Sequence, residues 1–232
     1  MISPVAAKGV AVGEKRCRRA LMAFLVVTVG AVGTGCGSDP EPPSPYVNAA
    51  EVCEGVFAGR LEKTVQEVTG GTVFNRSEAG SMGKVIEEIK KGHASGRSWS
   101  TGQKLCNMSV KGVPSDERAF LSFNIYALRD VGDPRKPEGA RRFLLGREAV
   151  ANTRWASLYF ECVSPQLEKS DRFPARIRGG LGKAKIRGNA VENLTANLTV
   201  LHAASLAVAK ELECEGNAGL PEKLDPGMKP LS

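Results

Sequence analysis

Four of the six cysteines, Cys53, Cys106, Cys162 and Cys214, stand dozens of residues apart, and His93 and His202 are the only imidazoles in the 232-residue chain. Thiols so spaced suit covalent pairing better than metal binding, because structural zinc sites draw on close pairs such as C-x-x-C. No metal site is read from them. A cysteine nucleophile is disfavoured as well, since in an oxidising medium a thiol with an available partner becomes a disulfide. Of the three ways to pair four cysteines, the sequential one, Cys53 with Cys106 and Cys162 with Cys214, is favoured. Each bond would then staple a helix to the sheet on which it packs.

His202 falls beside Leu201 in a helical stretch and reads as a helix-flank residue, while His93 follows a helix stop and reads as exposed. No G-x-S-x-G elbow accompanies either one, so a Ser-His-acid relay has no support. Carboxylate-pair catalysis depends on a spatial separation that the order of residues does not carry. No catalytic residue and no cofactor is therefore assigned.

The remaining chemistry lies in residues 172–187, where Arg172, Arg176, Arg178, Lys183, Lys185 and Arg187 occur without an acid among them. "RGGLGK" fails the phosphate-loop spacing, because Lys183 is followed by Ala184. Such a stretch is most simply a solvated face. Its functional reading is contact with anionic lipid head groups or wall polymers, at about 1 kcal/mol per cation close to a membrane.

Net charge narrows the partners further. The chain carries +7, but Lys8, Lys15, Arg16, Arg18 and Arg19 against Glu14 concentrate much of it before Gly35. What remains is a slight excess, which argues against specific nucleic-acid binding. The basic cluster is followed by a largely apolar run over residues 20–32 and then by "GTGC", the n-region, h-region and small-residue cleavage site of an export signal. The run is too short and too interrupted by glycine to span a bilayer.

Val32-Gly33-Thr34-Gly35-Cys36 resembles the lipobox of bacterial lipoproteins. That resemblance implies a diacylglyceryl thioether on Cys36, cleavage just before it, and display on the outer face of the plasma membrane. Ordinary cleavage at Gly33-Thr34-Gly35, giving a secreted protein, is the alternative. Parity favours the lipid: once Cys17 leaves with residues 1–35, five cysteines remain, and modifying Cys36 leaves four to pair. Residues 36–46 then form a lipidated, proline-rich tether, extended at about 3 Å per residue.

Periodicity supplies the scaffold on which these groups are set. Asn48 and Glu51 have capping-box spacing, and Val52, Val56, Leu61, Val65 and Val68 predict a helix ending at Gly70-Gly71. Met82, Val85, Ile86 and Ile89 predict a second one, starting after Ser81. Alternation then takes over: Cys106, Met108 and Val110 share one strand face, as do Leu121, Phe123, Ile125 and Ala127, and Ala156, Leu158, Phe160 and Cys162. "RRFLLGREAV" offers a further strand, and "ARIRGGLGKAKIRG" reads as a glycine-linked hairpin or pair of short strands. Val191, Leu194, Leu198, Leu201, Ser205, Val208 and Leu212 step by three and four through a long C-terminal helix.

The expected fold is α+β, an antiparallel sheet with helices packed on one face and a long C-terminal helix, in a single disulfide-stapled domain over residues 47–224 with a tail at 225–232. "VCEGVF", "SLYFEC" and "AKELECEGNAGLP", in that order, resemble a group of actinobacterial exported lipoproteins to which no activity is assigned. The reading is an envelope-facing binding or interaction domain, with the membrane as partner through its anchor and an envelope protein or anionic wall or lipid component as ligand. The alternatives are an extracytoplasmic enzyme using carboxylates or His202 in a cleft, and a structural spacer.

Overall fold

Leu121, Phe123 and Ile125 alternate with Ser122 and Asn124, and this period-two pattern builds a strand at the centre of a sheet. The computed structural model describes residues 43–76, 80–132, 139–186, 189–225 and 227–231. Residues 36 and 187, the expected lipidation site and the last of the expected surface cations, lie outside them. The chain runs β1 (Tyr46–Asn48), α1 (Glu62–Thr69), β2 (Val73–Asn75), α2 (Met82–Ala94), β3 (Gln103–Met108), β4 (Ala119–Ile125), β5 (Arg141–Phe143), β6 (Glu148–Ala151), β7 (Trp155–Cys162), β8 (Ala175–Lys183) and α3 (Ala190–Glu211). Strands β3-β4-β8-β7-β6-β5 form one sheet in that order. Every pairing is antiparallel.

Helices α2 and α3 cover one face, and α1 packs against α3. Leu121, Phe123, Leu158, Phe160, Ile177, Leu198 and Leu201 meet between the layers and are buried. The α+β architecture with a long C-terminal helix is thus the fold. Helix α3 starts where Asn189 Oδ1 accepts from Glu192 N at 2.9 Å. Ser81 caps α2 in the same manner through Lys84 N. The α3 stripe begins one step later than its spacing suggests, since Val191 is exposed.

Strand β8 differs from expectation. Within the segment read as a glycine-linked hairpin or pair of short strands, Ala175–Lys183 is one unbroken central strand, hydrogen-bonded to β4 on one side and β7 on the other. None of its glycines makes a turn, and Gly179 serves packing. A Cβ on Gly179 would stand 2.8 Å from Phe123 Cε1 and 2.8 Å from Ser205 Oγ, so only glycine lets α3 approach the strand this closely.

The N-terminal helix is also shorter than expected. Asn48 and Glu51 do make the reciprocal bonds of a capping box, Glu51 N to Asn48 Oδ1 and Asn48 N to Glu51 Oε2, both 3.1 Å. Behind this box lies a 3-10 turn over Val52–Gly55, with Cys53 at φ 56° and Glu54 at φ 59°, and α-helix starts only at Glu62. Left-handed backbone at Cys53 breaks the helix and brings the thiol to β3.

Both disulfides pair sequentially, Cys53 with Cys106 and Cys162 with Cys214. Each closes a loop of just over fifty residues. By chain entropy such a loop is worth roughly 4 kcal/mol against the unfolded state. Cys214 lies just past α3, and around it Glu215 N donates to Val163 O at 2.8 Å and Ser164 Oγ donates to Leu212 O, so the helix end is clamped to the end of β7.

The sheet edges are managed. Strand β3 carries a bulge between Lys104 and Cys106. The C-terminal segment does not run free: Leu231 N donates to Arg142 O at 2.7 Å, and Met228 packs on the core, beside the β5 edge.

Candidate functional site

Because α2 and α3 lie on one side of the sheet, the other side is left to residues of the opposite parity. Cross-strand register sets them in rows: Phe120, Gly182 and Trp155; then Ser122, Gly180 and Ser157; then Asn124, Arg178 and Tyr159. Beyond them come Arg176 and Glu161. The middle row is small, and Arg178 lies across it, its Nη2 and Nε donating to Ser157 Oγ at 2.8 and 3.2 Å. Toward β6 the face is closed. There Gly132 N donates to Glu148 Oε2 at 2.8 Å, Glu148 pairs with Arg142 at 2.8 Å, and Tyr126 is buried edge-on against Tyr159.

Tyr126 is 1% exposed, and its hydroxyl has no hydrogen-bond partner among the described residues. Burial, with the Glu161 charge adding to it, pushes its pKa up to about 12. The phenol is packing, not a proton donor at neutral pH.

At the opposite end the face opens into a groove of about 470 Å³, within the size range of small-ligand sites. Phe120 and Trp155 flank it, Gly182 lies between them, and Lys104, Arg118 and Arg154 surround them. Phe120 is 37% exposed, although it sits on a central strand. A Cβ on Gly182 would meet Phe120 Cζ at 2.6 Å, so the ring occupies the space that any other residue would fill.

The turn before β7 is tied by hydrogen bonds. Asn152 Oδ1 accepts from Arg154 N at 2.8 Å and from Trp155 N at 2.9 Å, an Asx turn that presents both residues to the groove. Asn197 of α3 holds this turn from below through Nδ2 to Asn152 O, 2.9 Å.

Of the six cations singled out by sequence, the five among the described residues are not gathered in one patch. Strand alternation sends Arg176 and Arg178 to the uncovered face and Lys183 to the helix side, where it is buried and donates to Asn193 Oδ1. Lys183 is therefore no surface contact. Arg172 is exposed in the loop before β8, and Lys185 pairs with Glu117. The cations that do converge, Lys104, Arg118 and Arg154, come from three separate stretches. Their only trace in the sequence is an aromatic, Phe120, at a polar-parity position of a strong strand.

His202 also departs from expectation. It is 4% exposed, because α1 packs on the outer side of α3 and the Pro221–Leu224 segment closes over it. Its Nε2 is buried with no hydrogen-bond partner among the described residues. Burial holds its pKa below the usual histidine value, partly offset by the Pro221 backbone and the Glu222 charge. A second groove of about 560 Å³ runs past it between α1 and α3. Lys210 and Asn217 hold Glu222 at the rim, 2.7 and 3.0 Å. His93, half-buried, bonds Glu168 O at 2.9 Å.

Among the described residues no group of His, Cys, Asp and Glu is placed to hold a metal, and no helix is long and apolar enough to cross a membrane. No protein-family model, no curated protein and no solved structure is matched by this chain.

Proposed function

We propose that this chain is a lipoprotein, anchored through Cys36 on the outer face of the plasma membrane, whose folded domain binds an anionic envelope polymer with the uncovered face of its sheet. One observation carries the reading. The face that the helices leave bare ends in a groove where Lys104, Arg118 and Arg154 surround two aromatic rings. Two disulfides suit an oxidising, extracytoplasmic setting. A diacylated cysteine would hold the domain firmly to the membrane.

The test uses the oxidised, membrane-extracted protein and soluble anionic polymers over a series of ionic strengths. Binding should weaken steadily as salt screens the cations. Replacing Lys104, Arg118 and Arg154 together by Glu should cost about tenfold or more in affinity at low salt. Equal binding by the triple variant overturns the assignment of the face. In parallel, Cys36→Ala should release the protein from the membrane fraction, and retention there removes the anchor.

A further inference from the structure

Charge alone would be served by lysines on any surface. The groove at the end of the uncovered face has three features that charge does not require. Its two rings stand in one register row on β4 and β7, the strands that flank β8, with Gly182 of β8 between them. Gly182 leaves room for the Phe120 ring, since a Cβ there would stand 2.6 Å from its Cζ and the ring would have to shift. The row thus offers apolar surface, framed by Phe120 and Trp155, of the kind that accepts the face of a ring.

The second feature is an acid among the cations. Asp116 lines the same groove as Lys104, Arg118 and Arg154, beside Ser115. A carboxylate repels a bare polyanion, but it accepts hydrogen bonds from hydroxyl groups. The third is the hydrogen-bonded Asx turn at Asn152, which orients Arg154 and Trp155 before any ligand arrives. A ring with an apolar face, hydroxyls at its edge and a carboxylate or phosphate substituent satisfies all three at once.

We infer that the groove is a subsite for one sugar ring of an anionic glycan, with Phe120 and Trp155 stacking the ring, Asp116 and Ser115 taking its hydroxyls, and Lys104, Arg118 and Arg154 its charge. This rests on the reading of the uncovered face given above. It goes further by assigning recognition to the ring and its hydroxyls, not to charge.

Three probes separate the possibilities: an oligogalacturonate, inorganic polyphosphate and single-stranded oligodeoxythymidylate, compared by calorimetric titration of the oxidised protein at one ionic strength. The oligogalacturonate should bind more tightly than the other two. Phe120→Ala and Trp155→Ala should each weaken it about tenfold, with polyphosphate binding unchanged. Gly182→Val should act as Phe120→Ala does. Lys63→Ala, on the exposed side of α1, should bind as the parent does, and thermal midpoints of all variants report whether they are folded.

If the aromatic variants weaken both polyanions equally, or neither, the ring subsite is wrong while salt-dependent polyanion binding keeps the broader reading alive. Tighter binding of the oligodeoxythymidylate assigns the rings to bases and overturns the glycan. Absence of binding to all three overturns the broader reading, and the ring subsite with it.

Discussion

The two faces of the six-stranded sheet are built from the same strands and obey different rules. Facing the helices, Leu121, Phe123, Leu158, Phe160 and Ile177 are sealed from water. On the other side, Phe120 stands 37% exposed and the same strands carry serine, glycine and arginine. The covered face is determined by volume, because every side chain there must fill space against α2 or α3. At one end the bare face sets Phe120 and Trp155 among cations from loops and strand ends, whereas at the other Tyr126 and Tyr159 pack against each other. Apolar burial explains the first face. It does not explain the second, and that is the argument for function there.

Matched substitutions on the two faces should separate stability from binding. Phe160→Ala opens a cavity beneath α3 and should cost about 3–5 kcal/mol, read as a fall in the chemical-denaturation midpoint at unchanged slope. Phe120→Ala, on the bare face, should cost only about 1–2 kcal/mol, because the ring already partly meets water. If Phe120 proved as costly as Phe160, the uncovered face would be a structural surface and the groove would lose its meaning.

Adjacent glycines in β8 put the same contrast into a single strand. Gly179→Ala would drive a Cβ to within 2.8 Å of Phe123 and Ser205. It should destabilise by about 1–3 kcal/mol through overpacking. Gly180→Ala, one residue on, meets Ser122 Oγ only at 3.6 Å and Arg178 Nη2 at 3.7 Å, ordinary contacts. It should be neutral within about 0.5 kcal/mol. Denaturation of both variants checks it, and equal losses would show that the strand, not its covered face, demands glycine.

These neighbours also mark how far the sequence could be read. Period-two runs at 121–125 and 156–162, and the three-and-four stripe of α3, identify the covered face directly, since burial repeats with the element. The disulfide pairing came from the same logic. "RGGLGK" misled because glycine in sequence signals a turn as readily as a close approach, and only the position of α3 decides which. Asn48 and Glu51 make a true capping box, yet the helix waits until Glu62, because left-handed backbone at Cys53 and Glu54 interposes a turn. The groove was least legible. Lys104, Arg118 and Arg154 are ordinary surface cations until strand order β3-β4-β8-β7 sets their strands side by side. The long run 172–187 drew attention by density, although strand alternation splits it.

His202 tests how dry the helix layer is compared with the bare face. Its folded-state pKa is held below 6.5, chiefly by burial, with Pro221 and Glu222 opposing. In the unfolded chain the imidazole takes up its proton near 6.5. Protonation therefore favours the unfolded state: the contribution to stability is fully present above that value and is lost as pH falls below it toward the lowered folded pKa. Around the ring, Lys210, Lys223 and Arg60 line the same groove and Glu222 is held by Lys210, so among the groove's described residues no uncommitted acid waits to receive an imidazolium. Between pH 6.5 and 5, above the range where most carboxylates titrate, wild-type stability should fall at up to about 1.4 kcal/mol per pH unit. His202→Gln should remove most of that slope, even if it lowers stability at pH 7. Denaturant titrations at several pH values measure both terms. An unchanged slope in the variant would mean that water reaches His202 in solution, and the helix layer would then be no drier than the face opposite.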